Sequence, residues 1–283
     1  MPASPQHLPR HGRPVAAAAL FCLLAAWSTA PAQDVTPEAA VAGARALERD
    51  GLFDEAETYL SELVAGDESL ARNASVLWEL ARLTADGETA HELAGEVAAR
   101  SRSGELVAAA HAVRGDYLYA TGHYAAAAGE YEAAGERARG EAAVEAGLKR
   151  AAALLASGDA SAAEEAARSV LSTRDLGADQ EALARTALGR ALLVRGETVS
   201  ALAEFMLSAE AGDASLRLAA LAGASEAAIA AGDDSTAVEL LGTIVEDPEP
   251  SYERAWAQHL LESVAARLAR PEPAPGQAPA DGE

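Results

Sequence analysis

Apolar and small residues recur at helical spacing from residue 37 to residue 268, and short polar turns cut the pattern at regular places. The third stretch is the clearest. Ala110 to Ala120 forms one run, Thr121-Gly122-His123 interrupts it, and Tyr124, Ala127, Tyr131 and Ala134 continue at steps of three and four. This is the pattern of two helices joined by a tight turn, in which a glycine supplies a positive φ without a Cβ clash. Glycines stand at the same place along the whole chain, at 51, 87, 122, 158, 196 and 232, with gaps of 36, 35, 36, 38 and 36 residues. A recurrence of that length predicts stacked hairpins, a solenoid that grows by adding units and not by enlarging one core.

The spacing predicts first helices near 37–49, 70–85, 105–121, 141–157, 178–195 and 214–231. Second helices are expected near 53–65, 88–102, 124–138, 160–172, 198–211 and 234–246. Asp159, Asp213 and Ser251 are placed to cap helix N-termini. The residue seven before each glycine should be small, because the paired helix crosses there. It is Ala44, Gly115, Ala151, Gly189 and Ser225, with Leu80 departing. The residue five after faces the hairpin partner and is Ala56, Ala127, Ala163, Ala201 and Ala237, with Glu92 departing. The second unit is therefore the irregular one. Residues 251–270 carry Trp256, Leu260, Val264 and Leu268 at four-residue steps, the pattern of a helix that caps the last hairpin. Residues 271–283 form a Pro-rich acidic tail.

A small residue at the crossing, then a turn glycine, an aromatic, an alanine and another aromatic (Gly115, Gly122, Tyr124, Ala127, Tyr131) resembles the tetratricopeptide repeat (TPR). The resemblance covers about residues 37–246. It implies an all-α, right-handed α-solenoid of about six TPR-like hairpins plus a C-terminal capping helix. It also implies a concave groove lined by the first helices, where a protein or peptide partner lies. Aligned on the glycines, the candidate groove residues are Val41, Arg45, Leu77, Asp116, Tyr119, Leu148, Leu155, Arg190, Leu193 and Ile229, with Glu48, Thr84 and Glu226 beside them. Two readings stay open for the apolar members: an exposed binding strip, or packing against neighbouring helices. The basic clamp with which some TPR domains hold acidic tails is not matched, since only Arg45 and Arg190 stand on these helices and far apart.

Composition narrows the setting. Arg10 and Arg13 precede an apolar run from Val15 to Trp27, and Ala30-Pro31-Ala32 closes it. This is the layout of a secretory signal peptide over residues 1–32, cleaved after Ala32, and the run is shorter than the ~20 residues of a membrane span. No later stretch reads as a span. Removing the signal leaves 20 basic and 44 acidic residues, a net charge of −24, which repels nucleic acid and anionic lipid. Cys22, the only cysteine, leaves with the signal. Lys149 is the only lysine, and with abundant Ala and Gly this bias points to a GC-rich bacterial genome, hence a periplasmic protein.

No catalytic or cofactor motif is present: no zinc-binding helix, no P-loop, no nucleophile elbow. His111 reads as a core residue and Asp233-Asp234 as a helix start. The function expected is a non-catalytic interaction scaffold of the cell envelope. The alternatives are an accessory subunit of an envelope enzyme or secretion complex, and a small-ligand or glycan binder. Low aromatic content disfavours sugar stacking.

Overall fold

The computed structural model describes residues 35–248 and 251–269. The expected signal, residues 1–32, and tail, residues 271–283, lie outside the described residues. Among those described there are fourteen α-helices and no strand. Unit one pairs α1 (Pro37–Arg49) with α2 (Phe53–Gly66). Unit two comprises α3 (Glu68–Ala71), α4 (Ala74–Leu83) and α5 (Gly87–Arg100). Units three to six are α6 (Gly104–Ala120) with α7 (Tyr124–Arg137), α8 (Glu141–Ser157) with α9 (Ala160–Leu171), α10 (Ala178–Val194) with α11 (Thr198–Ala211), and α12 (Ala214–Ala231) with α13 (Asp234–Val245). Helix α14 (Tyr252–Leu268) packs on α13 and α12. Each helix packs on its sequence neighbours, and α10 also touches α8 and α12, so the hairpins stack in order.

The caps explain why the helices begin where they do. The side chains of Asp159, Asp213 and Ser251 accept hydrogen bonds from the amides of Ala162, Leu216 and Arg254. Gly51, Gly122, Gly158, Gly196 and Gly232 close five hairpins with φ between 78° and 86°. Gly87 does not. It is the first residue of α5, and the turn of unit two is Thr84-Ala85-Asp86. Asp86 caps α5 through Thr89 N at 2.9 Å, and the Thr84 amide closes α4 on Leu80 O. A side-chain cap replaces the left-handed glycine, and the register of unit two moves by two residues. Its first helix is also broken. Instead of one helix over 70–85, α3 ends at Ala71 with Arg72 as its C-cap, and Asn73 restarts the chain by capping α4 through Ser75 N and Val76 N.

The core follows the small-residue rule. Phe205 on α11 is fully buried and lies against Gly189 of α10 and Gly223 of α12; a Cβ on Gly223 would stand 2.5 Å from its ring. Tyr131 on α7 lies in the same way against Gly115 of α6. The largest cluster of buried residues runs from α8 to α14 and includes Leu188, Phe205, Leu241 and Val264, with Val144, Val170 and Ala184 in a smaller one beside it. Smaller, separate clusters lie between units one and two, two and three, and three and four. Helix α12 does meet the length and apolarity of a membrane span, contrary to the reading of the sequence, but 44% of that window is buried inside the fold, against α11 and α13. Its apolarity is that of a core helix.

Candidate partner-binding groove

The candidate groove positions are set on each first helix by the distance to its turn. Six residues before the turn stand Arg45, Glu79, Asp116, Ala152, Arg190 and Glu226. Three before it stand Glu48, Arg82, Tyr119, Leu155, Leu193 and Ile229. Unit two is counted from Ala85, its true turn residue. That shift brings in Glu79 and Arg82, which an alignment on Gly87 misses. It also moves Leu77 out: Leu77 is 3% exposed and packs in the core with Ala94, Val97 and Ala110, so it offers nothing to a partner.

The N-terminal part of the groove is charged, and its charges satisfy one another. Arg45 donates from Nε to Glu79 Oε1 at 2.8 Å and from Nη2 to Oε2 at 3.3 Å. Arg82 donates from Nη2 to Glu48 at 2.6 and 2.8 Å and to Glu79 at 3.2 Å. Glu79 is 1% exposed, so the two arginines clasp a buried carboxylate between units one and two. Burial pushes the Glu79 pKa up, but the hydrogen bonds and charges of Arg45 and Arg82 outweigh it and hold the carboxyl below its ordinary value. Above the clasp lies an open depression of about 1030 Å³, bordered by Val41, Arg45, Glu48 and Arg82.

Asp116 is likewise engaged. It accepts from the Tyr131 hydroxyl at 2.8 Å and from Lys149 Nζ at 3.0 and 3.1 Å, which ties unit three to unit four. Burial, then the adjacent Asp116 carboxylate, raises the Tyr131 pKa well above the usual phenol value. Near this link the N-terminal halves of α6 and α8 leave a depression of about 710 Å³ walled by Ala108, Ala109, Ala112, Ala142 and Ala146. His111 is half-buried and hydrogen-bonds Glu130 at 2.7 Å, with Arg114 on the other carboxylate oxygen at 2.8 Å, so its role is polar as well as packing.

The C-terminal part is apolar. Tyr119 is 38% exposed, and Leu155, Leu193 and Ile229 are half-buried along the same row. Leu193 and Ile229 also rest on the core cluster, as Val41 and Leu148 do in their own units, so both readings of these positions hold in part. Arg190 and Glu226 flank the row and are exposed. Neither is engaged in a hydrogen bond or ion pair with another side chain. Among the described residues, no group of three or more histidines, cysteines or acids comes together to hold a metal.

No family model and no curated protein matches this chain. Solved structures do. PilW, described as a widely conserved type IV pilus biogenesis factor, superposes with a TM-score of 0.57 at 15% identity, covering 80% of this chain and 100% of PilW. PilF of Pseudomonas aeruginosa gives 0.53 at 17% identity over 79% of this chain and 97% of its own. YrrB, described as a TPR protein with an unusual peptide-binding site, gives 0.53 at 15% identity over 71% and 97%. At these identities the likeness concerns the fold. Helix order, turn geometry and these superpositions agree, and the chain is a protein of the tetratricopeptide-repeat fold.

Proposed function

We propose that this protein is a non-catalytic interaction scaffold of the cell envelope that holds a partner protein in its concave groove. The observation that carries the reading is the apolar row of Tyr119, Leu155, Leu193 and Ile229, half-open to solvent on a chain of net charge −22. An apolar strip on so acidic a surface is the kind of patch that marks a binding site. The fold likeness to a pilus biogenesis factor and to a peptide-binding TPR protein supports the envelope setting and the mode of binding. The secretory signal layout of residues 1–32 supports export. The clasped charges of units one and two make capture of an acidic tail by Arg45 unfavourable, because Glu79 already occupies it.

The test is affinity capture from envelope extract with crosslinking, comparing the protein with its Leu155→Asp, Leu193→Asp variant. The reading expects a defined partner that the variant loses while its helical circular dichroism is kept. Capture of the same partners by both proteins would refute a groove site.

A further inference from the structure

The groove reading can be carried to the chemistry of its occupant, and this inference rests on that reading. Two before the turn of unit two stands Leu83, half-buried beside the charged Arg82; in units three to six the residue next to the apolar row is Ala120, Ala156, Val194 and Ala230. All four are exposed, Val194 to 69%. In unit one the same position is Arg49 beside Glu48. Units three to six therefore carry an apolar ledge two residues wide along the turn edge of the groove, and unit one is charged there.

Three facts define what fits. First, the ledge is made of side chains near the C-terminal ends of helices and not of a strand, so it offers no edge for strand pairing. An extended segment laid on it would leave its own amides and carbonyls against an apolar surface, whereas a helix satisfies them internally. Second, α10 is in direct contact with α8 on one side and α12 on the other, and packed helices lie about 8–10 Å apart. A helix crossing them advances ~10.5 Å in seven residues, so anchors at i, i+7 and i+14 meet Leu155, Leu193 and Ile229 in turn. Third, the charges beside the N-terminal part of the groove are taken, Arg45 by Glu79 and Asp116 by Lys149. Those beside the ledge, Arg190 and Glu226, lack an ion-pair partner. They stand in adjacent units, one positive and one negative.

We infer that the ledge of units four to six binds an amphipathic helix of a partner protein, with apolar anchors at heptad spacing. One acidic side chain of that helix faces Arg190, and one basic side chain about seven residues away faces Glu226. Tyr119 extends the seat for the helix end that lies over unit three.

The test is selection from a displayed library of random peptides about 20 residues long on the full protein. Enriched peptides should show apolar residues at i, i+7 and i+14 with an acid beside the middle anchor, and should gain helical circular dichroism on binding. Against Arg190→Glu, an exposed position whose change leaves the fold intact, that acid should give way to Lys or Arg, and the original peptides should bind about tenfold more weakly. Enriched sequences that are Pro-rich or lack a helical period would overturn the inference, as would unchanged selection on Arg190→Glu or on Leu155→Asp with Leu193→Asp. Such a failure is distinguishable from failure of the scaffold reading. A partner captured from envelope extract and lost with the leucines would stand even if no helical peptide were selected.

Discussion

Gly223→Ala tests the packing that brings the ledge-bearing helices together. In an exposed helix interior, alanine in place of glycine stabilises by about 0.8–1 kcal/mol. Here the added Cβ would meet Phe205 Cε1 at 2.5 Å and two further ring atoms at 2.8 Å. The ring cannot step aside, because Phe205 is fully buried and Gly189 of α10 lies so close on its other side that a Cβ there would also stand 3.0 Å from the ring. Overpacking of this kind costs about 1–3 kcal/mol. The helix gain offsets part of that, which leaves a net destabilisation of roughly 0.5–2 kcal/mol. Urea unfolding followed by circular dichroism measures it, with Phe205→Leu and the double variant completing a cycle. The leucine removes the ring atoms that the new methyl strikes, so Gly223→Ala should be neutral or favourable in that background, with a coupling of about 1 kcal/mol or more. If Gly223→Ala stabilises the native protein by the full helix-propensity gain, Phe205 does not sit between α10 and α12, and the register of the last three units is wrong.

Four further outcomes are expected. Gly122→Ala forces a methyl group into a φ of +81° and should cost about 1 kcal/mol, whereas Gly87→Ala, at an ordinary helical position with Tyr117 at 3.3 Å, should change the melting temperature little. Glu79 has a folded pKa below its unfolded value of about 4.3, so its contribution is full above that pH and is lost as pH falls through the folded value; amide exchange in α1 and α4 should rise there and not in α12, and Glu79→Gln should flatten the difference. Ala127→Trp, at a fully buried crossing, should unfold the third hairpin by overpacking, with unchanged melting counting against the assigned register. Hydrogen exchange should be slowest in α10 to α13, where the core is continuous, and faster in α1 to α5, where it is divided.

Most helix boundaries were legible because caps and turn glycines are local. Asp159 and Asp213 mark helix starts by their chemistry alone, and a glycine at φ near +80° marks a turn whatever surrounds it. Unit two shows where this fails. Gly87 falls at the right interval but begins a helix, because Asp86 supplies the cap and Thr84-Ala85 makes the turn without a left-handed residue. The irregular Leu80 and Glu92 were the visible sign of that shift. Its consequence for the site is direct: alignment on Gly87 puts Leu77 in the groove when it belongs to the core, and passes over Glu79. The clasp itself was not readable, since Arg45 and Glu79 lie 34 residues apart and meet only when the register is right. Nor was the difference between Arg45, which is engaged, and Arg190, which is not. That depends on which side chain the neighbouring unit presents, a property of the stack and not of either helix.

The central claim, that a partner lies in the concave groove, is tested most directly by placing a photo-crosslinking side chain at Tyr119, Leu155 or Leu193. The controls are Glu62 and Glu165, exposed on the second helices α2 and α9. Irradiation in intact cells should give a discrete adduct of one partner from the three groove positions and none from the two controls. Adducts of the same partner from Glu62 or Glu165, with none from the groove, would contradict the account.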